Sequence, residues 1–218
     1  MAMFSRRAFA LAVLAATAVA GPAMAAEKLV PLTKVFPYLE QYLKIPPAQR
    51  SRFVVAYRML QGGKPVSGVK LWIVEGATRT PIALAADGKV MSLPNLHQVQ
   101  TAQLAADAPP QGKFGINFDI EPLIIPGTDM DAGALAASID QAQAGAKKAA
   151  GLMGFAVPNM ERIYFSGVSG GEIVWADGKR TAMAISHGMP VFDAATGRKA
   201  MAVHFAKAPT RMSIGPAK

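Results

Sequence analysis

The chain contains no cysteine, which excludes disulfide scaffolds, thiol nucleophiles, iron–sulfur clusters and cysteine-ligated zinc sites. Charge is also scarce: 17% of the 218 residues are charged, whereas 51% are apolar. This much apolar surface to bury excludes a disordered or low-complexity protein. The 23 basic residues outnumber the 14 acidic ones, giving a formal charge of +9, but they are scattered along the chain. The sequence therefore indicates a mildly basic solvated surface and no nucleic-acid binding.

Residues 1–25 have the three parts of an export signal peptide. A basic region with Arg6 and Arg7 precedes an apolar run over residues 9–20, and Ala-Met-Ala at 23–25 supplies the small side chains that a signal peptidase requires. The apolar run is shorter than the ~20 residues that a membrane-spanning helix needs, and no other segment is a candidate span. We predict cleavage after Ala25 and a mature protein in the periplasm.

The route of export has two interpretations. The sequence Ser-Arg-Arg-Ala-Phe at residues 5–9 resembles the twin-arginine export motif. The alternative is an ordinary secretory signal in which two arginines happen to be adjacent. The sequence leaves both routes open.

The mature chain, residues 26–218, is predicted to be a single α+β domain. Helical spacing of apolar residues predicts a short N-terminal helix at 36–44, ended by two prolines. The same spacing predicts one long central helix at 130–150, with Thr128 and Asp131 as a capping pair.

Alternating apolar and polar residues predict antiparallel β-meanders around these helices. The clearest strand is 113–121, where a buried face with Phe118 and Ile120 alternates with a wet face. Because short turns join many of the strands, a doubly wound parallel sheet is disfavoured. The other predicted strands are 52–58, 69–74, 82–86, 90–93, 99–105, 163–165, 172–176, 181–186, 190–192 and 199–205.

One tetrapeptide occurs twice, 90 positions apart: Ala-Asp-Gly-Lys stands at 86–89 and again at 176–179. A duplicated α+β unit, with halves 26–126 and 127–218, would explain the recurrence. Asp-Gly is also a common hairpin turn, and the flanking residues match poorly, which favours two independent turns.

Gly-Val-Ser-Gly-Gly at 167–171 matches the G-x-S-x-G nucleophile pattern and resembles the Gly-x-Ser-Gly-Gly segment of trypsin-like serine proteases. The resemblance implies Ser169 as nucleophile and His97 as base, oriented by Asp107 or Asp119. A hydrolase elbow requires a helix after the serine, whereas a strand is predicted here, and the residues around His97 lack the Ala-Ala-His-Cys pattern of that family. A glycine-rich hairpin loop is therefore favoured.

No histidine or carboxylate pattern predicts a metal or a cofactor. His187, His204 and Asp193 lack the short spacing of a metal site. Asp129 and Asp131 begin like a calcium loop, but the later positions lack its glycine and glutamate, so helix capping explains them better.

Asn117, Asp119 and Glu121 share the wet face of the strand at 113–121, where two carboxylates are able to support acid–base chemistry. A solvated strand face is the simpler interpretation. The larger aromatic residues form the core or, alternatively, line a cavity between helix and sheet. They are Trp72, Phe114, Phe118, Tyr164, Phe165 and Trp175.

From these features we expect a periplasmic binding or accessory protein without catalytic machinery. Its ligand would be an apolar small molecule or a lipid, held between the central helix and a sheet. The alternatives are a secreted serine hydrolase that uses Ser169 and an interaction subunit that binds an envelope protein.

Overall fold

The computed structural model describes residues 29–66, 68–107, 114–151 and 158–217. The predicted export signal, residues 1–25, lies outside these ranges. Every strand pair described is antiparallel, and five α-helices, one of them long, accompany the sheets in these ranges. The predicted α+β class with antiparallel sheets is confirmed. Among the described residues, no helix combines the length and the apolar character needed to cross a bilayer.

The first half of the described chain carries seven strands and three α-helices. In order they are β1 (Val30–Pro31), α1 (Leu32–Val35), α2 (Leu39–Lys44), a 3₁₀ helix (Pro47–Arg50), β2 (Phe53–Gln61), β3 (Lys64–Pro65), β4 (Lys70–Glu75), β5 (Thr78–Ile82), α3 (Leu96–Thr101), β6 (Gln103–Asp107) and β7 (Phe114–Pro122).

The second half carries eight strands and two α-helices. In order they are β8 (Asp129–Asp131), α4 (Ala132–Ala150), β9 (Arg162–Ser166), β10 (Glu172–Trp175), β11 (Arg180–Ala182), β12 (Ala184–Ser186), β13 (Met189–Asp193), α5 (Ala194–Gly197), β14 (Ala200–His204) and β15 (Arg211–Gly215).

The strands form one large central sheet and two small sheets. The central sheet has the order β12-β13-β9-β15-β7-β2-β3. The small sheets have the orders β1-β6-β4-β5 and β8-β14-β10-β11. In both small sheets, the first strand of the half pairs with the strand that follows a later helix: β1 pairs with β6, which follows α3, and β8 pairs with β14, which follows α5. The two halves therefore share one strand order.

The halves meet at the middle of the central sheet. There β7 pairs with β15 through Ile120 and Ile214. On either side, β2 pairs with β7 as β9 pairs with β15. The central sheet is thus built from equivalent strands of both halves.

Helix α4 packs across this arrangement. It contacts α2 and α5, β14 of one small sheet, and β2, β7 and β9 of the central sheet. Leu135 and Ile139 on its inner face are almost completely buried. At Gly145 the packing is so close that an added Cβ would lie 2.6 Å from the Phe53 ring. The buried residues of both halves belong to one hydrophobic cluster.

The N-terminal helix differs from the prediction. Instead of one helix at 36–44, α1 and α2 are separated by a turn. Pro37 disfavours helical geometry at the preceding residue, and Phe36 accordingly has φ −114° and ψ 76°. Tyr38 then adopts the left-handed region at φ 64° before α2 begins.

Other predicted elements also differ from the structure, among them the strands at 82–86 and 90–93, where β5 ends at Ile82 and only isolated bridges follow. The predicted strand at 99–105 begins instead with helix α3, because Asn95 and Gln98 form a reciprocal capping box. The predicted strand at 181–186 is divided between β11 and β12, which belong to different sheets. The long helix is capped by Asp131 alone, whose carboxylate accepts a hydrogen bond from the backbone N–H of Ala134 at 2.5 Å.

The two Ala-Asp-Gly-Lys turns have the same local hydrogen bonds. In each, the aspartate carboxylate accepts from the lysine backbone N–H, at 3.0 Å in the first and 2.9 Å in the second. The glycines have φ 79° and 81°. The first turn nevertheless lies against β2, whereas the second joins β10 to β11. The recurrence thus marks the same turn at different places in the two halves.

Candidate functional site

A buried arginine on β2 organises the most distinctive polar cluster among the described residues. Arg58 is only 5% exposed. Its Nε donates to Asp87 Oδ2 at 2.9 Å, its Nη1 to Asp119 Oδ2 at 2.9 Å and its Nη2 to Glu121 Oε1 at 2.6 Å. Each nitrogen of the guanidinium is therefore engaged by a different carboxylate, which compensates for the burial of the charge.

Strand pairing and one tight turn bring these carboxylates together. Asp119 and Glu121 lie on β7, which pairs with β2 along its whole length. Asp87 comes from the first Ala-Asp-Gly-Lys turn, where the backbone bridges Arg58 to Lys89. This turn requires glycine at Gly88, because an added Cβ would lie 2.5 Å from the carbonyl oxygen of Met59.

Two further cations flank Arg58. Lys89 Nζ donates to Glu121 Oε2 at 2.6 Å. Arg211, at the start of β15, has its Nη1 3.8 Å from Asp119 Oδ2, which is too long for a hydrogen bond. The Nε of Arg211 is buried and has no hydrogen-bond partner among the described residues. A buried N–H donor without a partner destabilises the folded state by about 1–3 kcal/mol, and such donors are rare in folded proteins.

The ion pairs shift the pKa values of their members. Burial opposes the charged form of Asp87, but the hydrogen bonds from Arg58 and from the Lys89 backbone outweigh it and lower the pKa of Asp87 below its ordinary value. Burial also disfavours the charged form of Arg58, yet Glu121 and Asp87 raise its pKa above the ordinary value. Both shifts favour the charged forms of Arg58 and Asp87.

A solvent-open cavity of about 550 Å³ lies over this cluster. Arg58, Asp87, Lys89, Glu121 and Arg211 line its polar side. The segment 122–126, Pro-Leu-Ile-Ile-Pro, lines its apolar side. Within this apolar segment Leu123 is 57% exposed and Ile125 is 90% exposed. The cavity thus combines a charged floor with an apolar wall that faces water.

A second, smaller cavity of about 300 Å³ lies beside α4. Its lining includes Gln49, Gln141 and Lys148, which are already linked to neighbouring groups by hydrogen bonds. Neither cavity occupies the space between α4 and the central sheet, because that face of the helix packs directly on Phe53. The larger cavity is therefore the stronger candidate for a binding site.

The predicted wet face of β7 is only partly wet. Asn117 is exposed, but Glu121 is 8% exposed and sits in the ion-pair cluster. The predicted buried face is also interrupted, because Phe118 is 39% exposed. The Phe118 ring contacts that of Tyr38, with centroids 5.4 Å apart. The solvated-face interpretation is thus wrong at Glu121, and the core assignment is wrong at Phe118.

The residues of the hydrolase alternative lie in different parts of the fold. Ser169 is exposed in the loop between β9 and β10, and a strand follows it rather than a helix. His97 is exposed on α3, in the first half. Asp107 is at the end of β6, and Asp119 is held by Arg58. No hydrogen bond joins Ser169 to a histidine within the described ranges.

The residues weighed as metal ligands have other partners. His204 Nδ1 lies 2.7 Å from Asp129 Oδ1, and this hydrogen bond lowers the pKa of Asp129. Asp193 accepts from Arg162 Nε at 2.6 Å. His187 occupies the turn between β12 and β13 with φ 50°. In the part of the chain described, no group of three or more histidine or acidic side chains is arranged to hold a metal.

Sequence reasoning missed the basic members of the site. Arg58 interrupts an otherwise apolar stretch of β2, and an arginine at a predicted core position is a signal that a partner carboxylate is needed. Arg211 carries no such signal, because its place beside Asp119 depends on the position of β15 in the central sheet.

Comparison of the chain with protein-family models, with curated proteins and with solved structures gives no match. The interpretation of the site therefore rests on its own geometry.

Proposed function

We propose that the mature protein is an exported binding protein for an apolar small molecule or a lipid, and that the ligand occupies the cavity over Arg58. The supporting observation is the apolar segment 122–126, with Leu123 and Ile125 exposed, beside a charged floor in one cavity of about 550 Å³. This volume falls within the range of roughly 300–1,000 Å³ typical of small-molecule sites.

Exposed apolar side chains favour this proposal over a purely structural role. Ile125 is 90% exposed, and water contact with a large aliphatic side chain is unfavourable by about 1.5–3 kcal/mol relative to burial. A ligand or partner that covers Ile125 and Leu123 recovers part of this free energy. An envelope protein docking on the same segment is one alternative.

The binding test uses native mass spectrometry of protein purified from its own envelope fraction. We expect a co-purifying small molecule, and we expect its loss in Ile125→Asp. Ile185→Asp is the matched control, because Ile185 is also exposed, at 54%, but lies on β12 away from the cavity. A bare polypeptide that also fails to bind a fluorescent amphiphile would overturn the proposal.

The hydrolase alternative has its own test. A fluorophosphonate probe that labels the wild-type protein but not Ser169→Ala would establish a nucleophilic serine and favour that alternative. Since Ser169 has no histidine partner among the described residues, we expect no labelling.

The proposed location is the periplasm. Its support is the basic, apolar and small-residue pattern of residues 1–25. Intact mass of the exported protein should correspond to cleavage after Ala25. Replacing Arg6 and Arg7 together by lysine should block export by the twin-arginine route and leave ordinary secretion nearly unchanged, which distinguishes the two routes.

A further inference from the structure

We infer that the cavity selects amphiphiles with an oxyanion head group, a carboxylate or a phosphate, and that Arg211 is the residue that binds this head. The inference rests on the proposed binding function and adds the chemical class of its ligand. It follows from the hydrogen-bond partners of the three cations in the cavity.

Two of these cations already donate hydrogen bonds to protein carboxylates. Arg58 uses Nε, Nη1 and Nη2 for Asp87, Asp119 and Glu121. Lys89 is held 2.6 Å from the second oxygen of Glu121. An incoming anion would have to displace a buried carboxylate to reach Arg58, which is energetically costly.

For Arg211, by contrast, the described residues offer no hydrogen bond to the guanidinium. Its nearest carboxylate oxygen, Asp119 Oδ2, already accepts from Arg58 at 2.9 Å and lies 3.8 Å from Arg211 Nη1. The Nε of Arg211 is buried without a partner among the described residues, while the side chain as a whole is 37% exposed. The exposed part of this guanidinium is able to donate charge-assisted hydrogen bonds to an oxyanion in the cavity.

The apolar wall of the cavity favours a ligand that also carries an apolar chain. Leu123, Ile124 and Ile125 line the same cavity as Arg211. Pro122 and Pro126, at either end, have no backbone N–H, so the wall presents few polar groups. An inorganic anion would leave the apolar wall exposed to water, and a neutral apolar molecule would leave the Arg211 charge without a hydrogen-bonded anion. An amphiphile with an oxyanion head satisfies both.

The test compares decanoate, decyl phosphate, decanol and inorganic phosphate by calorimetric titration, below the micelle concentration of each amphiphile. For the wild-type protein we expect either anionic amphiphile to bind about 10-fold to 100-fold more tightly than decanol, the usual effect of a hydrogen bond to a charged group. Inorganic phosphate should bind more weakly than decyl phosphate.

The variants separate the head group from the chain. Arg211→Met should bind the anionic amphiphiles and decanol with similar affinity, and Arg211→Lys should recover part of the preference. Arg198→Met is the control, because Arg198 is an exposed arginine paired with Asp140 at 3.3 Å outside the cavity. It should retain the wild-type preference.

The outcomes distinguish the two proposals. If decanol and decanoate bind equally to the wild-type protein, or if Arg211→Met keeps the preference for anions, the inference about Arg211 is overturned while the binding function stands. If inorganic phosphate binds as tightly as decyl phosphate, the site takes a free anion and the amphiphile inference is overturned. If none of the probes binds, the proposed function itself is wrong.

Discussion

The two halves of the molecule share a strand order but differ in the side chains at equivalent positions of their central strands. Ile120 and Ile214 pair with each other at the middle of the sheet. On their outer sides, Ile120 pairs with Val55 and Ile214 pairs with Ile163, so Val55 and Ile163 are equivalent. Three residues further along each strand, Arg58 on β2 therefore corresponds to Ser166 on β9. By the same register Asp119 corresponds to Ser213. The Ser166 hydroxyl contacts Met189 Sδ at 3.5 Å, where the first half has Lys89 beside Arg58.

This difference shows whether the central strands need the ion-pair cluster in order to form. The second half builds the same central strands with neutral side chains at the positions of the ion-pair cluster, so the framework does not need the cluster. Buried ion pairs contribute little net stability compared with apolar packing. Their presence in one half therefore supports a functional role for the cavity above them.

The largest effect that tests this comparison is the loss of Arg58. Arg58→Met should lower the free energy of unfolding by about 3 kcal/mol, because it leaves buried Glu121 and Asp119 short of a partner. The equivalent change in the other half, Ser166→Ala, should cost less than about 1 kcal/mol. Urea unfolding of both variants measures the difference, and equal losses would contradict the asymmetry.

The two Ala-Asp-Gly-Lys turns provide the second test. Gly88→Ala should cost about 3 kcal/mol, since it adds a clash with the Met59 carbonyl to the left-handed strain. Gly178→Ala has the same strain at φ +81° but no atom within 4 Å of the new Cβ, so it should cost about 1 kcal/mol. Thermal unfolding of both variants at neutral pH checks the order, and a larger loss for Gly178→Ala would show that local space does not decide the outcome.

The N-caps of α4 and α3 provide a third test of the comparison between the halves, with smaller expected effects on stability. Asp131→Ala and Asn95→Ala should each cost about 1 kcal/mol, because each removes a hydrogen bond to a helix N-terminus. The two substitutions should destabilise different parts of the molecule. Helix α4 contacts strands of both halves, whereas α3 contacts α1, α2 and β4 of the first half. Amide hydrogen exchange should therefore increase in both halves for Asp131→Ala and only in the first half for Asn95→Ala.

The smallest expected effect is the pH dependence contributed by Asp87. Its pKa is lower in the folded protein than in the unfolded chain, so the stabilisation is complete above the unfolded value near 3.8 and is lost as the pH falls through the folded value. Asp87→Asn should therefore lower stability by about 0.5 kcal/mol at pH ~7 and by less at pH ~3. Urea unfolding of the wild-type protein and Asp87→Asn at the two pH values measures the difference in their free energies of unfolding. A difference that is the same at both pH values would contradict the prediction.

The elements with long, regular patterns were predicted well. The alternation over 113–121 gave β7, and the apolar stripe over 130–150 gave α4, within two residues. Short elements were predicted less well, because local signals for a helix and for a strand overlap in them. At Val99 the alternation suggested a strand, while the capping box of Asn95 and Gln98 in fact starts a helix.

The site was harder to predict than the fold. Its contacts join residues far apart in the chain: Arg58 reaches Asp87 across 29 positions and Asp119 and Glu121 across 61 and 63. The sequence indicated the carboxylates on β7 but not which cation would face them. That choice depends on strand register and on the order of the central sheet, which no local pattern specifies.

Strand β15 lies between β9 and β7, so the middle of the central sheet is completed by the last strand described, Arg211–Gly215. A chain still emerging from the ribosome therefore carries two unpaired strand edges until Arg211–Gly215 has been made. Such edges are natural binding points for chaperones and for other unfinished copies. Truncation before residue 211 should yield a product that aggregates.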